Sequence, residues 1–167
     1  SLADRAAICT RFCAAFEAHT AVIAGELSWQ MGRPIRYGGE FRGFNERLTY
    51  MASIAEESLK PYLVEDSGAF KRMIKREAMG VVLVVAPWNY PYMTAINTIA
   101  PALMAGNTVI LKHAAQTLKV GEHLADAFAA AGLPEGVFQN IVLDHDTTSA
   151  LISQRAVNFV NFTGSVE

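Results

Sequence analysis

Cysteine is scarce, with two in 167 residues, Cys9 and Cys13. There are too few for a disulfide framework, and two thiols at i, i+4 fall short of the four ligands of a structural zinc site. They read as reduced thiols on or under a helix, which fits a cytoplasmic protein. An excess of charge is missing too, with 14 Lys and Arg against 16 Asp and Glu. No basic patch points to nucleic acid, and no charge run marks a tail. No apolar run approaches the roughly 20 residues of a membrane helix. No signal-peptide pattern opens the chain. Neither of the two common glycine-rich phosphate fingerprints, GxGxxG and GxxxxGK[ST], occurs. The histidines, His19, His113, His123 and His145, are scattered without metal-ligand spacing.

What is present is apolar patterning. Hydrophobic residues make up 51% of the chain and charged residues 18%, enough for a substantial core and far from a disordered composition. The organising stretch is residues 80–112, GVVLVVAPWNYPYMTAINTIAPALMAGNTVILK. Its opening, Val81 to Val85, is apolar without alternation, as in a strand buried on both faces. Ala86 and Pro87 end that strand. Met93, Ile96, Ile99, Ala100 and Leu103 then recur at helical spacing from Pro91, and Gly106 stops the helix. A second apolar run, Val109 to Leu111, ends at Lys112. The result is a β-α-β unit, a right-handed crossover in a parallel sheet, with ligands expected at the carboxyl ends of its strands.

Around this unit the remaining pattern falls into place. Residues 1–32 read as one helix or two, with His19-Thr20 and Gly25 as the break. A further helix spans 39–60 and stops at Pro61. Its apolar stripe is Phe41, Phe44, Leu48, Met51, Ile54, Ala55 and Leu59. The stretches 62–64 and 70–77 flank the turn signal Asp66-Ser67-Gly68 and read as a hairpin or a pair of edge strands. Lys71, Arg72, Lys75 and Arg76 form a solvated face there. After the central unit come a helix over 117–131, a strand over 137–143, a short helix to Gln154 that Asp146 caps, and a strand over 157–162. The expected fold is α/β, with N-terminal helices (1–61), a hairpin (62–79) and the first part of a Rossmann-like doubly wound parallel sheet (80–167). Thr163-Gly164-Ser165 is a strand-to-helix turn of the kind that holds phosphate. Only two residues follow it, as in an incomplete chain.

Candidate chemistry lies at the strand ends. Asn89 either donates its amide to an oxyanion or satisfies backbone groups in a turn. Lys112 either reaches a ribose or phosphate or is a solvated strand-end cation. Trp88 is a cofactor wall or a core residue. His113 and His145 border the same edge, as loop residues rather than catalysts. No cysteine lies near the sheet to act as a nucleophile, and no Ser-His-Asp arrangement is visible.

The segments VVAPWNYP (84–91), PALMAGNTVILK (101–112), AGLPEGVFQNIV (131–142) and NFTGS (161–165) together resemble the aldehyde dehydrogenase superfamily. The resemblance covers essentially the whole chain and is nearest in look to the succinate-semialdehyde branch. Met31-Gly32-Arg33-Pro34 resembles the family's N-terminal region, and the hairpin resembles part of its oligomerisation element. The resemblance implies oxidation of a small-molecule aldehyde to an acid with NAD or NADP. In the family a cysteine thiolate attacks the aldehyde, and a glutamate-activated water later hydrolyses the thioester. It also implies a homodimer or homotetramer, without nucleic acid or membrane partners. Carried over by position, Asn89 is the oxyanion donor. Val85, Ala86, Pro87 and Trp88 line the cofactor cleft, and Lys112 holds the adenosine ribose. Gly164 and Ser165, with Phe162 and Thr163 before them, approach the pyrophosphate. His113, Ala114 and Ala115 follow Lys112 where many members place a glutamate or serine, so a 2′-phosphate meets no acidic repulsion. The loop Asp144-His145-Asp146 replaces a glycine-bearing one. The catalytic Cys and Glu belong beyond the position of Ser165, so this chain alone is expected to be inactive. The alternative is a non-catalytic nucleotide-binding or oligomer-forming relative. Asn97 stands where the succinate-semialdehyde branch often has an arginine, so selection for a distal carboxylate is expected to be weak.

Overall fold

A computed structural model describes residues 1–165. Three helices open the chain: α1 (Leu2–Glu17), α2 (Thr20–Met31) and α3 (Phe41–Leu59). A capping box starts α1, with Ser1 and Asp4 bonded reciprocally. The break between α1 and α2 falls at 18–19, one residue before the expected His19-Thr20 step, and Thr20 already opens α2. Gly25 continues α2 without interrupting it, since an interior glycine costs a helix only about 1 kcal/mol relative to alanine.

The hairpin forms as β1 (Tyr62–Asp66) antiparallel to β2 (Lys71–Ile74). Then follow β3 (Val81–Ala86), α4 (Pro91–Met104), β4 (Thr108–His113), α5 (Lys119–Ala130), β5 (Phe138–Ile141), α6 (His145–Ser153) and β6 (Phe159–Phe162). These four strands make a parallel sheet in the order β5-β4-β3-β6. Gly106 ends the α4 turn at φ 90°, a conformation side-chain-bearing residues rarely adopt. The chain's path reverses at β3: β4 and β5 lie to one side and β6 to the other. Such a reversal opens a crevice at the carboxyl ends of the two strands it separates, here β3 and β6.

Several boundaries shift from the sequence reading. β4 runs on through His113, β5 is shorter at both ends, and β6 starts at Phe159. The cap of α6 is Asp144, whose carboxylate accepts from Thr147 N at 2.7 Å; Asp146 lies inside the helix.

The N-terminal helices and the sheet share one core. Phe12 and Phe16 of α1 stack on Phe128 of α5 (3.9 Å between centroids) and Phe44 of α3 (4.5 Å). Tyr92 of α4 closes the cluster against Phe16. The polar face of α1 also has a task that periodicity does not reveal. Arg5 Nε donates to Met104 O and Arg11 Nε to Ala131 O, each at 2.8 Å. These carbonyls are the orphan acceptors at the C-terminal ends of α4 and α5, where a cation also opposes the helix dipole. No single helix among the described residues is long and apolar enough to cross a membrane.

Candidate functional site

The parallel register sets which residues meet. Val85 lies opposite Lys112 on β4 and Phe162 on β6. The segments that follow β3, β4 and β6 therefore leave the sheet from one edge, and they carry Pro87, Trp88 and Asn89, Ala114 and Ala115, and Thr163, Gly164 and Ser165. Thr163 N donates to Val85 O at 3.0 Å, fastening the β6 turn to β3.

Burial divides these residues. Val85 and Ala86 are buried, so they present main chain rather than side chain to the edge. Pro87 is half-buried. Trp88 (45%) and Phe162 (61%) are exposed aromatic surfaces flanking the crevice. Ala114 is half-buried, and Ala115, Thr163, Gly164 and Ser165 are exposed. Gly164 lies close to the exposed Phe162 ring, whose tip would have to swing aside for a Cβ, 2.8 Å away.

Lys112 is only 6% exposed, yet it forms no ion pair among the described residues. No fully buried polar side-chain atom among them lacks a partner, so the Lys112 ammonium must reach solvent. A cation threaded through the sheet edge and free of carboxylates is suited to a neutral or anionic ligand.

His113 departs from its expected role. Its ring is 2% exposed and is used internally. Nδ1 accepts from Ala114 N at 3.0 Å, which places the ring proton on Nε2, directed at Pro91 O at 3.3 Å. Thr117 Oγ1 also lies 3.0 Å from Nδ1. Burial drives the imidazole pKa down to about 4, so at neutral pH it contributes no positive charge to a phosphate. What it does is brace the end of β4 against the start of α4. His145 sits exposed at the start of α6.

Asn89 is exposed, and its amide is oriented. Oδ1 accepts from Tyr90 N at 3.1 Å. Nδ2 has no hydrogen-bond acceptor among the described residues, which leaves it a free donor. The loop around it is clamped by residues the sequence reading gave no role. Arg33 Nη2 donates to Asn89 O at 2.9 Å, and Arg33 Nη1 pairs with Glu40 Oε1 at 2.7 Å. Glu40 Oε2 accepts from Met93 N at 2.8 Å. The guanidinium also lies over the Tyr90 ring.

Glu40, the residue that precedes α3, thus caps α4. Tyr90, at the N-cap, makes no side-chain cap bond, so a first-turn N–H needs an acceptor from elsewhere. Burial lifts the Glu40 carboxyl above its ordinary range, while the hydrogen bonds from Met93 and Arg33 pull against that shift. A legible hint existed: α4 begins Tyr-Pro with no capping residue of its own. Nothing local in the sequence shows that Glu40 supplies the cap.

The cysteines lie elsewhere. Burial pushes both thiols up to about 11, so neither is a thiolate nucleophile at neutral pH. No group of three or more His, Cys, Asp or Glu among the described residues is arranged to hold a metal.

Comparison with known proteins identifies the family and the fold. The family model described as "Aldehyde dehydrogenase family" matches residues 1–167. The chain is 40% identical over 122 residues to an aldehyde dehydrogenase of Paenarthrobacter nicotinovorans, covering 71% of this chain and 27% of that protein. It is 34% identical over 152 residues to the NADP(+) succinate-semialdehyde dehydrogenase of Mycobacterium avium, covering 89% of this chain and 32% of that protein. The crystal structure of the NAD-dependent aldehyde dehydrogenase from Sinorhizobium meliloti superposes with a TM-score of 0.90 at 29% identity, over 99% of this chain and 34% of that one. The chain thus spans roughly a third of the length of the relatives it matches.

Proposed function

From the premise that this chain belongs to the aldehyde dehydrogenase family, we propose that it is the cofactor-binding front portion of an NAD(P)-dependent enzyme oxidising an aldehyde to a carboxylic acid. The observation that carries the proposal is the convergence of Asn89, Lys112 and Gly164 at one edge of the parallel sheet, at the carboxyl ends of three adjacent strands. The residues present fit a dinucleotide. Trp88 and Phe162 offer flat apolar faces, Lys112 a cation without a carboxylate partner among the described residues, and Gly164 an exposed turn with accessible main chain.

Lys112 holds the adenosine ribose, and the main chain of Thr163, Gly164 and Ser165 approaches the pyrophosphate. Ala114 and Ala115 leave the space beside the ribose without an acid, so either NAD or NADP is accepted. The bound nicotinamide supplies the hydride acceptor. Asn89 Nδ2 donates to the aldehyde oxygen as that oxygen gains negative charge. A preorganised donor of this kind is worth about 2.7–4 kcal/mol in the transition state. Because its acceptor oxygen is engaged by Tyr90 and its loop is held by Arg33 and Glu40, the amide needs no rearrangement to act.

The thiolate nucleophile and the general base come from further along the full-length protein, which is cytoplasmic. Residues 1–61 form the helical region, 62–79 the oligomerisation hairpin of a homodimer or homotetramer, and 80–167 the first part of the dinucleotide-binding domain. The test is reduced-cofactor formation from aldehydes by the full-length protein and by this chain alone. Turnover is expected only from the former, with NAD and NADP both used. Turnover by the chain alone, or none by the full-length protein, contradicts the reading.

A further inference from the structure

The segment from Ala114 to Leu118 joins the end of β4, next to Lys112, to the start of α5. Ala114 and Ala115 have only methyl side chains, so this segment serves a ligand through where its main chain is held. Two anchors hold it. The first is internal: His113 Nδ1 accepts from Ala114 N, and the fully buried Thr117 places its Oγ1 against the same nitrogen. The second comes from α2. Gln30 Oε1 accepts from Lys119 N at 3.2 Å, across 89 positions of sequence.

Lys119 is the first residue of α5, and Leu118 before it makes no side-chain cap bond. A first-turn N–H of α5 therefore finds its acceptor on another helix. The Lys119 ammonium is occupied elsewhere, with Glu122 at 2.6 Å, so Gln30 holds main chain alone. One turn along both helices a second contact follows. Glu26, four residues before Gln30, pairs with His123, four residues after Lys119. Residues four apart share a helix face, so the two contacts are successive rungs between α2 and α5. Both members of the second rung are half-buried, and this rung aims the Gln30 side chain at the start of α5.

Three residues beyond Gln30, past the left-handed Gly32, Arg33 holds the Asn89 loop. The end of α2 thus reaches both halves of the proposed cleft, Gln30 on the ribose side and Arg33 on the aldehyde side.

We infer that Gln30 is a positioning residue for the cofactor. It fixes the turn from β4 into α5, and with it the wall beside the adenosine ribose, while the Glu26–His123 pair keeps it aimed. This rests on the cofactor-binding reading proposed above. Gln30 acts through the main chain of Lys119, not on the reacting atoms.

Two variants of the full-length protein separate positioning from packing. Gln30→Leu keeps apolar bulk and removes the acceptor. Gln30→Glu keeps an acceptor, and a carboxylate suits a helix N-terminus. The first measurement needs no cofactor: amide hydrogen exchange over residues 114–119. Faster exchange is expected there in Gln30→Leu, with the rest of α5 unchanged, and wild-type protection in Gln30→Glu. No change in Gln30→Leu overturns the inference, and so does loosening that spreads through the whole of α5.

The second measurement is the Kd of NAD by calorimetric titration, with kcat at saturating NAD beside it. NAD has no 2′-phosphate for the carboxylate of Gln30→Glu to repel. Gln30→Leu is expected to bind NAD about three- to tenfold more weakly, the scale of one intramolecular hydrogen bond, with kcat close to the wild type. Gln30→Glu is expected to bind as the wild type does. Equal affinity in all three proteins overturns the inference and leaves the cofactor-binding reading intact. A fall in kcat that matches the fall in affinity, or no rescue by Gln30→Glu, also overturns it. A wild type that binds neither NAD nor NADP overturns the cofactor-binding reading, and the inference with it.

Discussion

The molecule contains two sheets that treat apolar residues in opposite ways. In the four-stranded sheet, β3 and β4 are almost wholly buried, and at the end of β4 His113 is engaged in fixing a loop while Lys112 has no partner among the described residues. In the two-stranded hairpin, Tyr62, Leu63, Val64, Met73 and Ile74 are all exposed. Charged pairs, Asp66 with Lys71 and Glu65 with Arg72, occupy only the turn end of the ribbon. An isolated two-stranded ribbon is marginal in water, and an open strand edge with apolar side chains invites pairing. The first sheet is covered within the chain at its two central strands, although Phe159 and Phe162 of its outer strand β6 stay exposed. The second is covered on neither strand, which supports its proposed place in a subunit contact.

The contrast can be broken most forcefully at Glu40. Glu40→Ala removes the partner of Arg33 and the acceptor of Met93 N together. Breaking a buried ion pair by removing one member typically costs about 3–5 kcal/mol, so the urea midpoint of this chain should fall markedly. A midpoint unchanged within error contradicts the clamp.

His113 gives the next effect and a pH signature. Its folded pKa of about 4 lies below the ordinary 6.5, so between those values the unfolded chain binds more protons than the folded one. Stability is therefore highest above pH 6.5 and is lost as the pH falls toward 4, by about 3 kcal/mol in all. His113→Gln removes this titration, so the gap between unfolding free energies at pH 7 and pH 5 should narrow. An undiminished gap assigns the acid sensitivity elsewhere.

The smallest effect sharpens the comparison from the other side. Leu63→Asp and Ile74→Lys change exposed positions, so the chain's own stability should move by no more than about 0.5 kcal/mol. In the full-length protein the same changes should shift the assembly toward smaller species in analytical ultracentrifugation. A large loss of stability in the isolated chain would mean that the hairpin belongs to the monomer's core.

How much of this could be read beforehand follows from the range of the interactions. The β-α-β unit was legible because its signals are local: an unbroken apolar strand, a helical period, and a glycine where positive φ is needed. The hairpin and the α1–α2 break were visible for the same reason. Of the site, the loop carrying Asn89 and the strand end carrying Lys112 were placed by their position after buried strands. His113 reads as a strand-end residue facing a ligand, because nothing local reveals that its ring turns inward to Pro91 O. Arg33 and Glu40 act on a loop more than 45 residues away, and Arg47 acts on Asn97 across 50 positions. Such partners become visible only when α3 is laid against α4.

The most direct test of the site is Asn89→Ala in the full-length protein, with kcat and cofactor affinity measured separately. If the free Nδ2 donor stabilises the developing oxyanion, kcat should fall roughly a hundredfold or more on the oxyanion-donor scale, while cofactor affinity stays nearly unchanged. A loss confined to cofactor affinity would make Asn89 a cofactor contact and contradict the oxyanion role.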